Sequence, residues 1–259
     1  MFNKLNKQRL KIDGNFRNCN FITNRKDFKP LISFKEDTLK EVFDFSYNMT
    51  FGGEGFHRNF RSGGTHHRKN GELFINTFQG KLAEFGIHEY LSKKFAIDKP
   101  DLSLWGQGKW DSVDLDFNNK KMAIKSTKSI GNLLLLEKKD WDKEGNYIPN
   151  MTIGDSQYDY FILVRIDPNG ETIMKKNKIY YSNSLDINSL KKLILNLDWK
   201  IDIPGFITNN DLKKIISDRN IILQNEYINK YTRMDADNYY CQSGDMKSID
   251  LIFDQLENL

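Results

Sequence analysis

The sequence predicts a mixed α/β fold whose central portion runs helix, three strands, helix, strand. Three observations point there. An amphipathic helix begins at Asn76, an alternating hairpin turns at Asn118-Asn119, and residues 160–166 form a continuous apolar run of strand composition. The chain has 259 residues, of which 39% are hydrophobic and 29% charged, which suits a folded core and excludes a disordered or fibrous chain.

Taken in order, residues 1–48 are polar with apolar side chains at Leu31, Phe34, Leu39, Val42, Phe43 and Phe45, and predict a loop followed by one helix over 35–47. Residues 50–71 carry six glycines and no apolar periodicity, and predict a loop. Asn76 is a good N-cap with Gln79 placed to complete a capping box, and Phe78, Leu82, Phe85, Leu91 and Phe95 follow at helical spacing. Residues 113–117 alternate as a strand, Asn118-Asn119 signals a two-residue turn, and 121–126 returns as the second strand. Asn132 is read as the cap of a helix over 133–141, and 160–166 as a strand buried on both faces. Beyond Pro168 the expectations are a strand at 178–182 and helices at 189–196, 209–218 and 245–256. No repeat or linker divides the chain, so residues 1–75 (helix and basic loop), 76–182 (core) and 183–259 (helical extension) are expected to pack as one domain, with the softest boundary near 199–205.

Several classes are set aside. No apolar run approaches the ~20 residues that cross a bilayer, and residues 1–14 lack an apolar signal region, so a cytoplasmic protein without a membrane partner is expected. Cys19 and Cys241 have no C-x-x-C spacing and read as ordinary thiols. No G-x-x-x-x-G-K-[ST] motif is present, so no nucleotide cofactor is expected. The net charge of +4 is a mild basic excess. More specific is the cluster of Arg58, Arg61 and Arg68 with His57, His66 and His67 in a glycine-rich loop, a composition suited to wrapping phosphates while arginines read base edges. An HNH-type metal site is disfavoured, because adjacent histidines point apart and His88 lies on a helix.

The hairpin carries the chemistry. A turn at Asn118-Asn119 sets Asp116 opposite Lys121 and Asp114 opposite Ala123, so that Asp114, Ala123 and Lys125 share a face. Lys125 follows apolar Ala123 and Ile124, as in a central strand, and a lysine there needs a partner. Hydrolysis of a phosphodiester needs carboxylates for a hard cation such as Mg²⁺ and a cationic group near the attacking water. Asp114 and Lys125 supply a minimal set, Glu84 on the preceding helix adds a carboxylate, and Lys128, Lys138 and Lys139 add phosphate contacts. Tyr239, Tyr240, Trp199 and Phe206 are read as core.

At these residues the chain resembles the PD-(D/E)XK nuclease superfamily, the fold of many type II restriction endonucleases. The resemblance is carried by Gln79-Gly80-Lys81-Leu82-Ala83-Glu84, Asp111-Ser112-Val113-Asp114 and Ala123-Ile124-Lys125-Ser126-Thr127-Lys128, and covers roughly residues 76–167. It implies a restriction-endonuclease-like core (αβββαβ, a mixed sheet flanked by helices), a homodimer, and Mg²⁺-dependent, sequence-specific cleavage of double-stranded DNA. Asp114 and Glu84 would ligate Mg²⁺ with the Ile124 carbonyl, Lys125 would orient or activate water, and Arg58, Arg61, His66, His67, Arg68 and Lys128 would contact DNA. Ala123 stands where the family usually has an acid, so that either Glu84 or Asp116 compensates or the site is catalytically weakened, and Asp111 competes with Asp114 for the metal role. It also sustains a second expectation, a non-catalytic DNA-binding protein that keeps the fold; an unrelated α/β enzyme with a structural Asp114–Lys125 pair is a third.

Overall fold

A computed structural model describes residues 2–52, 68–103 and 114–257. Arg58, Arg61, His66, His67 and Asp111 lie outside the described residues, as does most of the expected glycine-rich loop.

The fold is mixed α/β. The chain opens with strands β1 (Asn6–Ile12) and β2 (Asn15–Phe21), a short β3 (Ile32–Ser33) and helix α1 (Glu36–Thr50). Helix α2 (Asn70–Leu91), β4 (Leu115–Phe117), β5 (Lys120–Lys128) and β6 (Leu133–Glu137) follow. Then come β7 (Tyr160–Asp167), α3 (Gly170–Lys176), α4 (Ile187–Leu195), β8 (Lys200–Thr208) and α5 (Asn209–Ser217). The chain ends with β9 (Ile221–Ile222), β10 (Tyr227–Ile228), β11 (Thr232–Arg233), β12 (Asn238–Gln242) and α6 (Leu251–Glu257).

The main sheet runs in the order β3-β8-β7-β5-β4, with β5 and β7 parallel and the other pairs antiparallel. Period-two alternation divides its side chains between two cores. Met122, Ile124, Tyr160, Ile162, Val164 and Ile166 pack with Phe78 and Leu82 of α2 and with Val42, Ile194 and Ile252. Ala123, Phe161, Leu163 and Ile207 point the other way, onto Leu134, Leu136, Trp141, Leu212 and Cys241. A smaller sheet, β6-β12-β9, covers that second face, and a third core around Leu5, Leu133, Ile222 and Tyr240 joins it to the N-terminal sheet β1-β2-β10-β11.

The hairpin forms in the expected register, with Leu115 opposite Met122 and Phe117 opposite Lys120. Asn118 and Asn119 have φ of 51° and 59°, the left-handed pair that a two-residue turn between right-twisted strands requires. The strand at 160–166 and the helix at 209–218 also form, the latter closed by a Thr208–Asp211 capping box. Trp199, Phe206 and Tyr240 are core residues as expected, and both cysteines are buried thiols.

Other expectations are corrected. Helix α2 starts at Asn70, not Asn76, because its first turns are buried on all sides and Gly71 is a packing residue: a Cβ there would lie 2.2 Å from the Ile179 carbonyl oxygen. Residues 1–34 hold the β1–β2 ribbon and β3 where a loop was expected. Residues 133–141 are not a helix: Leu133 and Leu135 face one core and Leu134 and Leu136 another, a period of two that makes β6, followed by a 3₁₀ turn at Lys138–Asp140. The crossover from β5 to β7 therefore carries a strand and 3₁₀ turns where the αβββαβ order has a helix. Residues 178–182 are turns, with Lys178 at φ 59°, and α3 lies just before them. Residues 199–205 are no boundary, since β8 is an inner strand of the main sheet. Its Pro204-Gly205 pair, a composition that breaks strands, sits at a register shift opposite β7, and Gly205 at φ 153° lets the Lys247 carbonyl close to 2.2 Å of where a Cβ would stand. Residues 183–259 thus hold strands as well as helices. The last helix starts at Leu251, because Lys247 exchanges backbone hydrogen bonds with Phe206 instead of winding.

Candidate active site at the β4–β5 hairpin

Strand β4 ends its ladder at Leu115, and the preceding residue does not continue it. The Ile124 N–H, on the β4 side of β5, donates to Asp114 Oδ2 at 2.6 Å. The side chain of Asp114 is thus half-buried and held in position at the edge of β5. The Ile124 carbonyl leaves β5 on the same edge as its N–H. The carboxylate of Asp114 and the main-chain oxygen of Ile124 are therefore both presented at this edge of β5.

Lys125 follows on the face of Ala123. It is half-buried and makes no hydrogen bond or ion pair among the described residues. The Asp114–Lys125 ion pair of the alternative, purely structural reading does not form, and among the described residues Lys125 has no partner of the kind a lysine at this depth needs. The other lysines of the hairpin are engaged: Lys120 with Asp159 at 3.1 Å and Lys121 with Asp155. Asp116 is exposed opposite Lys121.

Glu84 lies 2.6 Å from Lys81, both side chains only 13% exposed, and Lys81 stands over the Phe45 ring of α1. Helix α2 packs on the Met122–Ile124 face of β5, so the helix bearing Glu84 and the side chain of Lys125 belong to opposite faces of the sheet. Ala123 is buried against Leu134, Leu136, Trp141 and Phe161. A carboxylate at that position would be desolvated among apolar groups, which accounts physically for alanine there.

The donor set suits Mg²⁺, which binds through one or two carboxylates and keeps several waters. Asp114 and the Ile124 carbonyl provide two oxygens. Among the described residues, no three His, Cys, Asp or Glu side chains converge to hold a metal.

Arg68 and Lys128 come together elsewhere, in a polar cleft of about 370 Å³ at the C-terminal ends of β5 and β7. Asn76, Gln79, Ser126, Thr127 and Glu171 line it too. Glu171 bonds Lys128 at 2.8 Å and Lys175 at 2.5 Å; burial pushes its carboxyl up, but the two lysines outweigh burial and hold it below the usual range. The sequence reading missed this cleft. Its signal in the sequence is Asn76 and Gln79, two amides one helical turn apart within α2. Lys138 and Lys139 lie in the 3₁₀ turn after β6, paired with Asp237 at 3.6 Å and Glu137 at 3.2 Å.

No helix of the described residues is long and apolar enough to cross a membrane. No family model, curated protein or solved structure matches the chain.

Proposed function

We propose that the chain is a Mg²⁺-dependent, sequence-specific endonuclease that hydrolyses phosphodiester bonds of double-stranded DNA, with a restriction-endonuclease-like core and a homodimeric assembly. The observation that carries this reading is the Asp114 carboxylate fixed on the Ile124 N–H, one residue from Lys125, which has no ion-pair partner among the described residues. Resemblance of the flanking motifs supports it, and the strand that replaces the expected crossover helix marks a departure from that family's usual order.

Asp114 and the Ile124 carbonyl would hold Mg²⁺, which when bound would neutralise developing phosphate charge and make water a better nucleophile; Glu84, engaged by Lys81 on the helix packed against the other face, would have to leave that pair to join them. The chain's own residues do the rest. The Ile124 N–H holds the Asp114 carboxylate through Oδ2. Lys125 offers an ammonium to a non-bridging phosphate oxygen or to the attacking water, with no ion pair to a described residue to break first. Two copies related by a two-fold axis would address the two antiparallel strands.

Burial of Ala123 favours a second reading, a DNA-binding protein without cleavage. Incubating plasmid and phage DNA with the protein in Mg²⁺, Ca²⁺ or EDTA separates the two. Discrete fragments in Mg²⁺ alone are expected. DNA left intact in Mg²⁺ but retarded in a gel supports binding alone, and DNA neither cut nor retarded contradicts both.

A further inference from the structure

Strands β1 and β2 form a ribbon closed by Asp13 and Gly14, both left-handed at φ 50° and 78°. Its pairing extends from Asn6–Phe21 to Ile12–Asn15, yet only Cys19 and Asn20 pair onward to β10. From Arg9 to Asn18 the ribbon is two strands, and its side chains are mostly exposed. An isolated hairpin of this kind gains little from burial.

Alternation and register place Lys7, Arg9 and Lys11 on one face with Phe16 and Asn18. Arg9 stands 4.9 Å over the Phe16 ring, and Lys7 lies 3.2 Å from Glu226. Arg9 and Lys11 have no carboxylate partner among the described residues. The opposite face presents Asn6, Gln8, Asn15 and Arg17.

We infer that the β1–β2 ribbon is a second DNA-contacting element that lies in a groove of the duplex, with Arg9 and Lys11 on phosphates and Asn18 and Phe16 beside the bases. Size supports a groove: two strands ~4.8 Å apart with their side chains match a major groove ~12 Å wide, which accepts a two-stranded ribbon. Chemistry supports DNA, since arginine and amide side chains pair with base edges and the exposed outer part of the basic face carries no acid. A second copy of the chain is a poor occupant, because lysine and arginine along the edge strand β1 would repel their own kind. The inference takes DNA as partner from the proposed function, but it concerns a different sheet from Asp114 and Lys125.

The test is duplex binding in EDTA over a series of KCl concentrations, for wild type, Arg9→Gln/Lys11→Gln and Arg9→Lys/Lys11→Arg. Loss of two phosphate contacts lowers the slope of log affinity against log salt by about 2 and the affinity by some tens of fold near ~0.1 M salt. The charge-preserving variant restores the slope. Equal slopes for wild type and the Gln variant overturn the inference, as does tighter ribbon-dependent binding to single-stranded RNA or anionic vesicles than to duplex. Absence of duplex binding by wild type overturns it too. Binding without any cleavage in Mg²⁺ removes the nuclease reading and leaves the ribbon inference standing, whereas cleavage with a kcat/KM unchanged in the Gln variant removes the ribbon inference alone.

Discussion

Arg165 interrupts an otherwise apolar strand and is 1% exposed, so its charge has to be matched inside the protein. Its N–H donors all find acceptors. Nε and Nη2 bond the Asp202 carboxylate, Nη1 bonds the Lys26 carbonyl at 2.7 Å and Asn132 at 3.0 Å, and Nη2 also bonds the Asp27 carbonyl at 2.8 Å. Asp202 also accepts from the Lys29 N–H at 2.9 Å. One guanidinium thus fastens the irregular segment before β3 to the central strands. Arg165→Met leaves Asp202 buried without its partner and is expected to cost about 3–5 kcal/mol, measurable by urea unfolding; a loss below ~1 kcal/mol contradicts the role assigned to the network. Asp211 makes a pH prediction. Burial pushes its carboxyl up, but Lys247 and the Thr208 N–H and hydroxyl more than offset this and hold it below the usual range. A depressed folded value means stability that is full above the unfolded pKa of ~3.9 and lost as pH falls through the lower folded value. Asp211→Asn should therefore flatten the acid side of the stability profile. Glu89 and Glu137, both raised by burial, act in the opposite sense and remain in the variant as an internal control.

Among the elements, the β4–β5 hairpin was legible because its turn chemistry and alternation agree. Asn118 and Asn119 both adopt positive φ, and only glycine, asparagine and aspartate do so readily. Asn119→Ala is expected to destabilise by about 1 kcal/mol while Asn119→Gly is neutral or stabilising, as thermal unfolding would show; equal effects would contradict the turn. The β1–β2 ribbon was not legible by hydrophobic pattern, since both its faces meet water and the Asp13-Gly14 turn was its one cue. The four leucines 133–136 misled for the opposite reason. A short apolar run buried on both faces has no polar phase by which to tell strand from helix, and only the presence of two separate cores decides for β6.

Over the whole molecule, the mixed α/β class followed from the sequence, while the layering did not. Three stacked cores depend on which chain segments meet, and the third is assembled from Leu5, Leu133, Ile222 and Tyr240, residues distant in sequence. Of the candidate site, Asp114, Ile124 and Lys125 came together because they are local to one hairpin. Glu84, held by Lys81 on α2, depends on tertiary packing that spacing does not encode. Whether the hairpin edge cleaves DNA is decided by single-turnover cleavage of a plasmid in Mg²⁺. Asp114→Asn, which keeps an acceptor for the Ile124 N–H, and Lys125→Ala should each slow cleavage by about 10²-fold or more at unchanged thermal stability, with exposed Asp116→Asn within a few-fold of wild type. Wild-type cleavage rates retained by both Asp114→Asn and Lys125→Ala would contradict the account.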